Sequence, residues 1–149
     1  MIRGEQSTEI DAPPEAVFAV ASDLERYPEW QDFLQAVTVR ERDTDGRATL
    51  VEAEADATVR RLKLVLRATR DEPRRVAWRA EGGDLKALSG AFDLARAGSP
   101  GRTRATFGLE VDPGFKLGLL LKGPVADRLR DHVMSGMLDG LKRRAESGG

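Results

Sequence analysis

Leu121-Lys122-Gly123-Pro124-Val125-Ala126-Asp127-Arg128-Leu129-Arg130-Asp131-His132-Val133-Met134-Ser135-Gly136-Met137-Leu138-Asp139-Gly140-Leu141 decides the fold. Leu121, Val125, Leu129, Val133, Met137 and Leu141 recur every four residues, the mark of a long helix with one apolar stripe. Pro124 suits a first helical turn, where its missing N–H costs nothing, and Gly123 suits the cap before it. A clean start at Pro124 leaves Lys116 to Leu121 as a separate or kinked turn, and the helix runs on to about Ala145. An amphipathic helix at the end of a strand-rich chain must bury its stripe against the sheet.

Working back from that helix, the sequence changes character. Ile2 to Ile10 alternates loosely and reads as a first strand. Pro13 or Pro14 then opens a helix over Ala16 to Ala21, with Glu15 favouring its N-terminal dipole. Ser22-Asp23-Leu24-Glu25 has the spacing of a capping box and predicts a second, short helix that Pro28 ends. Six strand segments follow. Leu34 to Arg42 stops at Asp43-Thr44-Asp45-Gly46, a hairpin turn. Ala48 to Val59 puts Val51, Ala53, Ala55, Ala57 and Val59 on one face; Leu62 to Arg70 puts Leu62, Leu64, Leu66 and Ala68 on one face, but in the opposite phase. Strand side chains alternate with period two, so that slip predicts a turn or bulge at Arg60-Arg61. Asp71-Glu72-Pro73 turns again. Arg75 to Glu81 carries Val76, Trp78 and Ala80 and is broken by Gly82-Gly83. Leu88 to Ala95 groups Leu88, Gly90, Phe92 and Leu94, and Gly98-Ser99-Pro100-Gly101 makes the next turn. Arg102 to Val111 groups Ala105, Phe107, Leu109 and Val111. Hairpin-linked strands with polar outer faces predict an antiparallel sheet wetted on one side.

The composition sets bounds. The 149 residues fit one domain with a sizeable core, and 40% hydrophobic with 33% charged residues is the balance of a globular chain. Net charge is −1 and the basic residues are spread along the chain, which argues against nucleic acid as partner. There is no cysteine and a single histidine, His132, so disulfides, thiolate chemistry and multi-histidine metal sites are excluded. The N-terminal residues carry no signal-like apolar run and no run is long enough to span a bilayer, so a cytoplasmic protein is expected.

The order of elements and certain motifs resemble the START/helix-grip superfamily, and within it the polyketide cyclase/dehydrase and lipid-transport family. The carriers are Ile10-Asp11-Ala12-Pro13-Pro14-Glu15-Ala16-Val17-Phe18, Asp23-Leu24-Glu25-Arg26-Tyr27-Pro28-Glu29-Trp30, Leu88-Ser89-Gly90-Ala91-Phe92 and the last helix ending Leu141-Lys142. The resemblance covers nearly the whole chain. It implies an α+β helix-grip fold: a curved seven-stranded antiparallel sheet, two short helices after the first strand, and a long C-terminal helix over the sheet. Residues 1–146 would form this single domain and 147–149 a disordered tail. Similar proteins include coenzyme-Q-binding proteins, toxins of the ribosome-association type, and aromatase/cyclases, so the fold does not decide the function.

Small residues at Ala53, Ala55 and Ala57, with Gly136 and Gly140 on the helix, admit two readings: close approach of helix to sheet, or an enclosed void. The resemblance implies the void. Its expected lining is Ala53, Ala55, Leu64, Leu66, Trp78, Phe92 and Phe107 from the sheet and Leu121, Leu129, Val133 and Met137 from the helix, with Trp30 and Phe33 near a mouth. The expected ligand is mainly apolar: a lipid, an isoprenoid or quinone, or a polyketide-like aromatic. Phe115 to Leu121, leucines among glycines flanked by Lys116 and Lys122, could gate the void or touch a membrane surface. Catalysis would need a titratable group inside. His132, beside Val133, is the one candidate polar pocket residue. Tyr27 before Pro28 reads as structural, and no nucleophile set, phosphate loop or metal spacing is present, so no catalytic residue, metal or cofactor is assigned. The alternatives are an aromatase/cyclase or dehydrase acting on a polyketide chain, and a protein-interaction module.

Overall fold

The computed structural model describes residues 1–58 and 60–148. Seven strands form one antiparallel sheet in the order β1-β7-β6-β5-β4-β3-β2: β1 Ile2–Ile10, β2 Leu34–Arg42, β3 Ala48–Asp56, β4 Arg61–Asp71, β5 Arg75–Gly83, β6 Ala87–Ala97 and β7 Ser99–Asp112. Helix α1 spans Pro14–Ser22, a 3₁₀ turn spans Leu24–Glu29, α2 is the short helix Gly114–Gly118 and α3 runs Gly123–Glu146. This is the helix-grip architecture. The first strand pairs with the last, Ile2 opposite Val111, and α3 packs chiefly along β1, then on α1 and β7.

Period two dictates the sheet. On β4, Leu62, Leu64, Leu66 and Ala68 are buried and the residues between them face outward. On β7, Ala105, Phe107, Leu109 and Val111 turn inward. The phase slip falls where the chain leaves β3: the Asp56 carboxylate accepts the Thr58 N–H at 2.8 Å, Thr58 takes φ 69°, and the Ala57 N–H donates to the Arg60 carbonyl. β3 therefore stops at Asp56, and Val59, expected on its inner face, lies outside the described residues. At Asp43, one carboxylate oxygen accepts the N–H groups of Asp45 and Arg47 and closes the β2–β3 hairpin.

Several boundaries differ from those the sequence suggests. Ser22 does not cap the 3₁₀ turn. It ends α1, and its hydroxyl accepts Arg70 Nε at 2.7 Å, so its oxygen is already committed. Pro28 lies inside the 3₁₀ turn rather than ending it. Gly82-Gly83 does not break β5; the strand continues through Gly83, at φ +107° beside a register shift at Val65/Leu66. A Cβ on Gly83 would collide with the Lys63 carbonyl oxygen, so the bulge requires glycine. Gly98 alone turns the chain, so β7 begins at Ser99 rather than Arg102. The Ser147 and Gly148 N–H groups donate to the Arg143 and Ala145 carbonyls at the end of α3; Gly149, the last residue of the expected tail, lies outside the described residues.

Helix α3 turns a different stripe to the sheet from the one its spacing of four predicts. Val125 is 42% exposed and Leu129 only partly buried, while Ala126, Val133, Met134, Met137, Leu138, Leu141 and Ala145 are buried. A strict spacing of four advances about 40° per step around an α-helix. Followed back from Leu141, the stripe has rotated off the sheet by the time it reaches Val125. The buried face keeps the mixed three-and-four spacing instead.

Candidate functional site

The interior between α3 and the sheet is dominated by rings. Tyr27, Trp30, Trp78, Phe92 and Phe107 form a connected cluster with centroid separations of 4.7 to 6.5 Å, tilted or edge-on as aromatic quadrupoles prefer. Gly90 makes room for it: a Cβ there would lie 2.9 Å from Trp78 Nε1. Buried Gln31 ties the 3₁₀ turn to β2, its side-chain amide donating to the carbonyls of Tyr27 and Leu34 and accepting the Leu34 N–H. Tyr27 donates its hydroxyl to the Ala21 carbonyl at 2.5 Å. Burial pushes that phenol well above its ordinary pKa, so the sole tyrosine is a locked structural group. Arg70 is half-buried, and its guanidinium donates to Ser22 Oγ and to the carbonyls of Ser22 and Ala48. Burial, and then Arg47 nearby, lower its pKa. Its bonding joins α1 to β3 and β4.

What remains open inside is small. One void of about 30 Å³ is lined by Ile2, Phe33, Ala57, Leu62, Leu85, Leu88, Leu109, Val111, Leu121, Leu129, Arg130 and Val133. A second of about 20 Å³ is lined by Phe33, Leu34, Leu64, Leu66, Trp78, Leu88, Phe107, Leu109, Val133 and Met137. They share Phe33, Leu88, Leu109 and Val133, which stand between them. Every lining side chain but Arg130 is apolar. Drug-sized ligands occupy roughly 300–1,000 Å³, so this arrangement is a closed one.

The structure brings most of the expected lining residues together. Phe33, Leu64, Leu66, Trp78, Phe107, Leu121, Leu129, Val133 and Met137 border one void or both. Phe92 is fully buried in the ring cluster beside them and borders neither. Trp30 is not at a mouth: its ring packs on Tyr27 and Phe92, and its backbone lies against Gly140. Ala53 and Ala55 are buried but border neither void. Ala55 pairs with Leu34 and Leu62, and Ala53 with Val37 and Leu64, so their small size complements larger strand neighbours. His132 is exposed on the flank of α3 and faces a surface cleft with Pro28, Gln31, Asp32, Gln35, Asp56, Thr58 and Arg61; one residue away from Val133 is about 100° around the helix. Sequence reasoning left out Ile2, Leu34, Ala57, Leu62, Leu85, Arg130, Leu88, Leu109 and Val111. The alternation of β6 and β7 already placed the last three on the inner face.

The outer face of the sheet carries a broader, open trough of about 730 Å³ that includes Ala77, Ala91 and Gly108. Among its charges, Arg75 pairs with Asp93 at 2.6 Å and Arg3 with Glu110 at 3.3 Å, while Arg67 and Arg79 pair with Glu81. The interior, by contrast, is the apolar space the fold encloses.

A sequence model of the family described as polyketide cyclase / dehydrase and lipid transport matches residues 1–146. The chain belongs to that family. Among solved structures, it is similar to a START superfamily protein from Mycobacterium smegmatis (18% identity, 99% of each chain covered, TM-score 0.83). It is similar to a protein from Thermus thermophilus (22% identity, 97% of each chain, TM-score 0.82). It is also similar to the Zhui aromatase/cyclase from Streptomyces sp. R1128 (18% identity, 97% of this chain and 93% of that one, TM-score 0.71). At these identities the likeness to solved structures shows the fold. No curated protein matches the chain. Among the described residues, no helix is long and apolar enough to cross a membrane.

Proposed function

We propose that this family member binds a mainly apolar small molecule between the sheet and α3, in a space that opens from the closed arrangement described above. The carrying observation is the pair of adjoining voids, apolar but for Arg130 at one edge. Water gains few hydrogen bonds in such space, and an apolar guest gains contact with every wall. Opening has a structural route. Helix α2 is bracketed by Gly114 at φ 83° and Gly123 at φ 59°, next to Pro113 and Pro124. The α3 N-terminus that follows has no side-chain cap. Movement of α2 and the first turns of α3 would draw Leu121 and Leu129 off the first void while the ring cluster stays in place.

Cyclisation or dehydration of a polyketide chain on this fold needs a proton donor or acceptor at the ligand. Among the described residues that border the voids, Arg130 alone ionises, and an arginine holds its proton too tightly for that role. The lining therefore supports binding over catalysis.

The test is native mass spectrometry of gently purified protein, with titration of a long-chain quinone and a fluorescent fatty acid. Retained or bound apolar ligand at one site, lost in Leu129→Trp with the fold intact by circular dichroism, supports the reading. Absence of any bound molecule together with no uptake of either probe overturns it.

A further inference from the structure

We propose that the α2–α3 junction docks on the surface of an anionic lipid bilayer. Among the described residues, and apart from Met1, the large hydrophobic side chains that stand exposed all lie between residues 115 and 125: Phe115 is 84% exposed, Leu119 56%, Leu120 53% and Val125 42%. Elsewhere among the described residues such side chains are buried or half-buried, so this is a local apolar surface rather than general scatter. Beneath it, Leu117 and Leu121 are buried at 6% and 4% and hold it to the body of the protein.

Charge selects the partner. Between Asp112 and Asp127 there is no acidic residue, and Lys116 and Lys122 are both exposed. The patch is therefore positive in a chain whose net charge is −1. Neither lysine forms an ion pair among the described residues. Apolar side chains interspersed with exposed lysines are a composition that enters a headgroup layer: the apolar groups sink to the acyl boundary while the ammonium groups meet phosphate. A second copy of the chain fits the patch less well. A two-fold contact would set the lysines of one patch against those of the other, with no carboxylate in the patch to pair them.

The junction also forms one wall of the interior, since Leu121 borders the larger void. A surface that holds α2 in the headgroup layer would face that void toward the acyl region. The docking itself needs no ligand, so its failure and that of the binding reading are distinguishable.

The test is co-sedimentation of the full chain with phosphatidylcholine vesicles, with and without phosphatidylglycerol, over a salt series. Binding that requires phosphatidylglycerol and weakens with salt is expected. Phe115→Ser should weaken it by roughly tenfold or more, the worth of one inserted aromatic side chain. Lys116→Glu with Lys122→Glu should abolish it. Both sets lie at exposed positions, and unchanged thermal unfolding checks the fold. No binding to the anionic vesicles, or binding that ignores Phe115→Ser, overturns the proposal. So does light scattering that shows a dimer dissolved by Phe115→Ser, which assigns the patch to a second copy.

Discussion

Gly140 of α3 lies directly against the backbone of Trp30: a Cβ at position 140 would collide with the Trp30 carbonyl oxygen and sit 2.8 Å from its ring carbon Cε3. A Cβ at Gly136, one turn earlier, would meet nothing beyond its own helix within 4 Å. The two glycines therefore do opposite things. Gly140→Ala should destabilise by roughly 1–3 kcal/mol, the usual cost of overpacking. Gly136→Ala should stabilise by up to about 1 kcal/mol, because alanine is the better helix former. Urea unfolding of both variants checks the pair, and equal stabilities would mean that α3 slides freely over the 3₁₀ turn.

Leu109 borders both voids. Leu109→Ala should join them into one larger cavity at a cost of about 2–5 kcal/mol. The variant should regain part of that stability in the presence of benzene, and gain more from it than the parent, whose two voids must open before a guest enters. Thermal unfolding with and without benzene reads the difference.

Tyr27 is the only tyrosine, and its hydroxyl is buried against the Ala21 carbonyl. Its folded pKa lies above the ordinary value of 10.0, first through burial. The stabilisation that follows is complete below pH 10.0 and is lost as the pH rises above it. Tyrosinate absorbance near 295 nm should therefore appear together with loss of the fold in alkali, not before it. A smooth titration in the folded state near pH 10 would contradict the buried bond.

Acid should act through four glutamates whose pKa values are lowered: Glu25 first by the hydrogen bond from Arg42, Glu29 by that from Arg144, Glu81 by that from Arg67, and Glu146 by Lys142 and then the Asp11 N–H. Because the folded values are depressed, their contribution is complete above the ordinary value of 4.5 and is lost as the pH falls below it. The melting temperature should hold from neutrality to about pH 5 and then drop, less steeply in high salt because these pairs are exposed. Glu146→Gln should flatten part of that drop, since Glu146 holds the end of α3 to the β1–α1 junction.

The strands were legible because period two survives in single residues: Phe107, Leu109 and Val111 could face only one way. The slip at Arg60-Arg61 was legible for the same reason. Pro124 marked the division of α2 from α3. What the sequence hid depends on partners far along the chain. Ser22 has the spacing of a cap, but Arg70 claims its hydroxyl from β4. Ala55 is small whether it faces a void or sits between Leu34 and Leu62, and only the register tells which. The size of the interior is a sum over many contacts that no motif records, so the residues around the space could be anticipated while its near closure could not. The apolar surface at Phe115 was visible as a motif, but its exposure was not, because a buried kink has the same residues.

The pairing of β1 with β7 has a consequence for how the molecule is made. Ser7 and Thr106, whose hydroxyls meet at 2.8 Å, are 99 positions apart, and β1 has no other strand beside it. While the middle of the chain can zip up hairpin by hairpin, its opening strand must wait for the last one to emerge. Such distant closure slows folding. The meander from β2 to β6 can assemble as synthesis proceeds, but β1 docks late and α3 settles on it afterwards. A ribosome-bound intermediate with an unpaired β1 is the species most open to chaperone capture or aggregation.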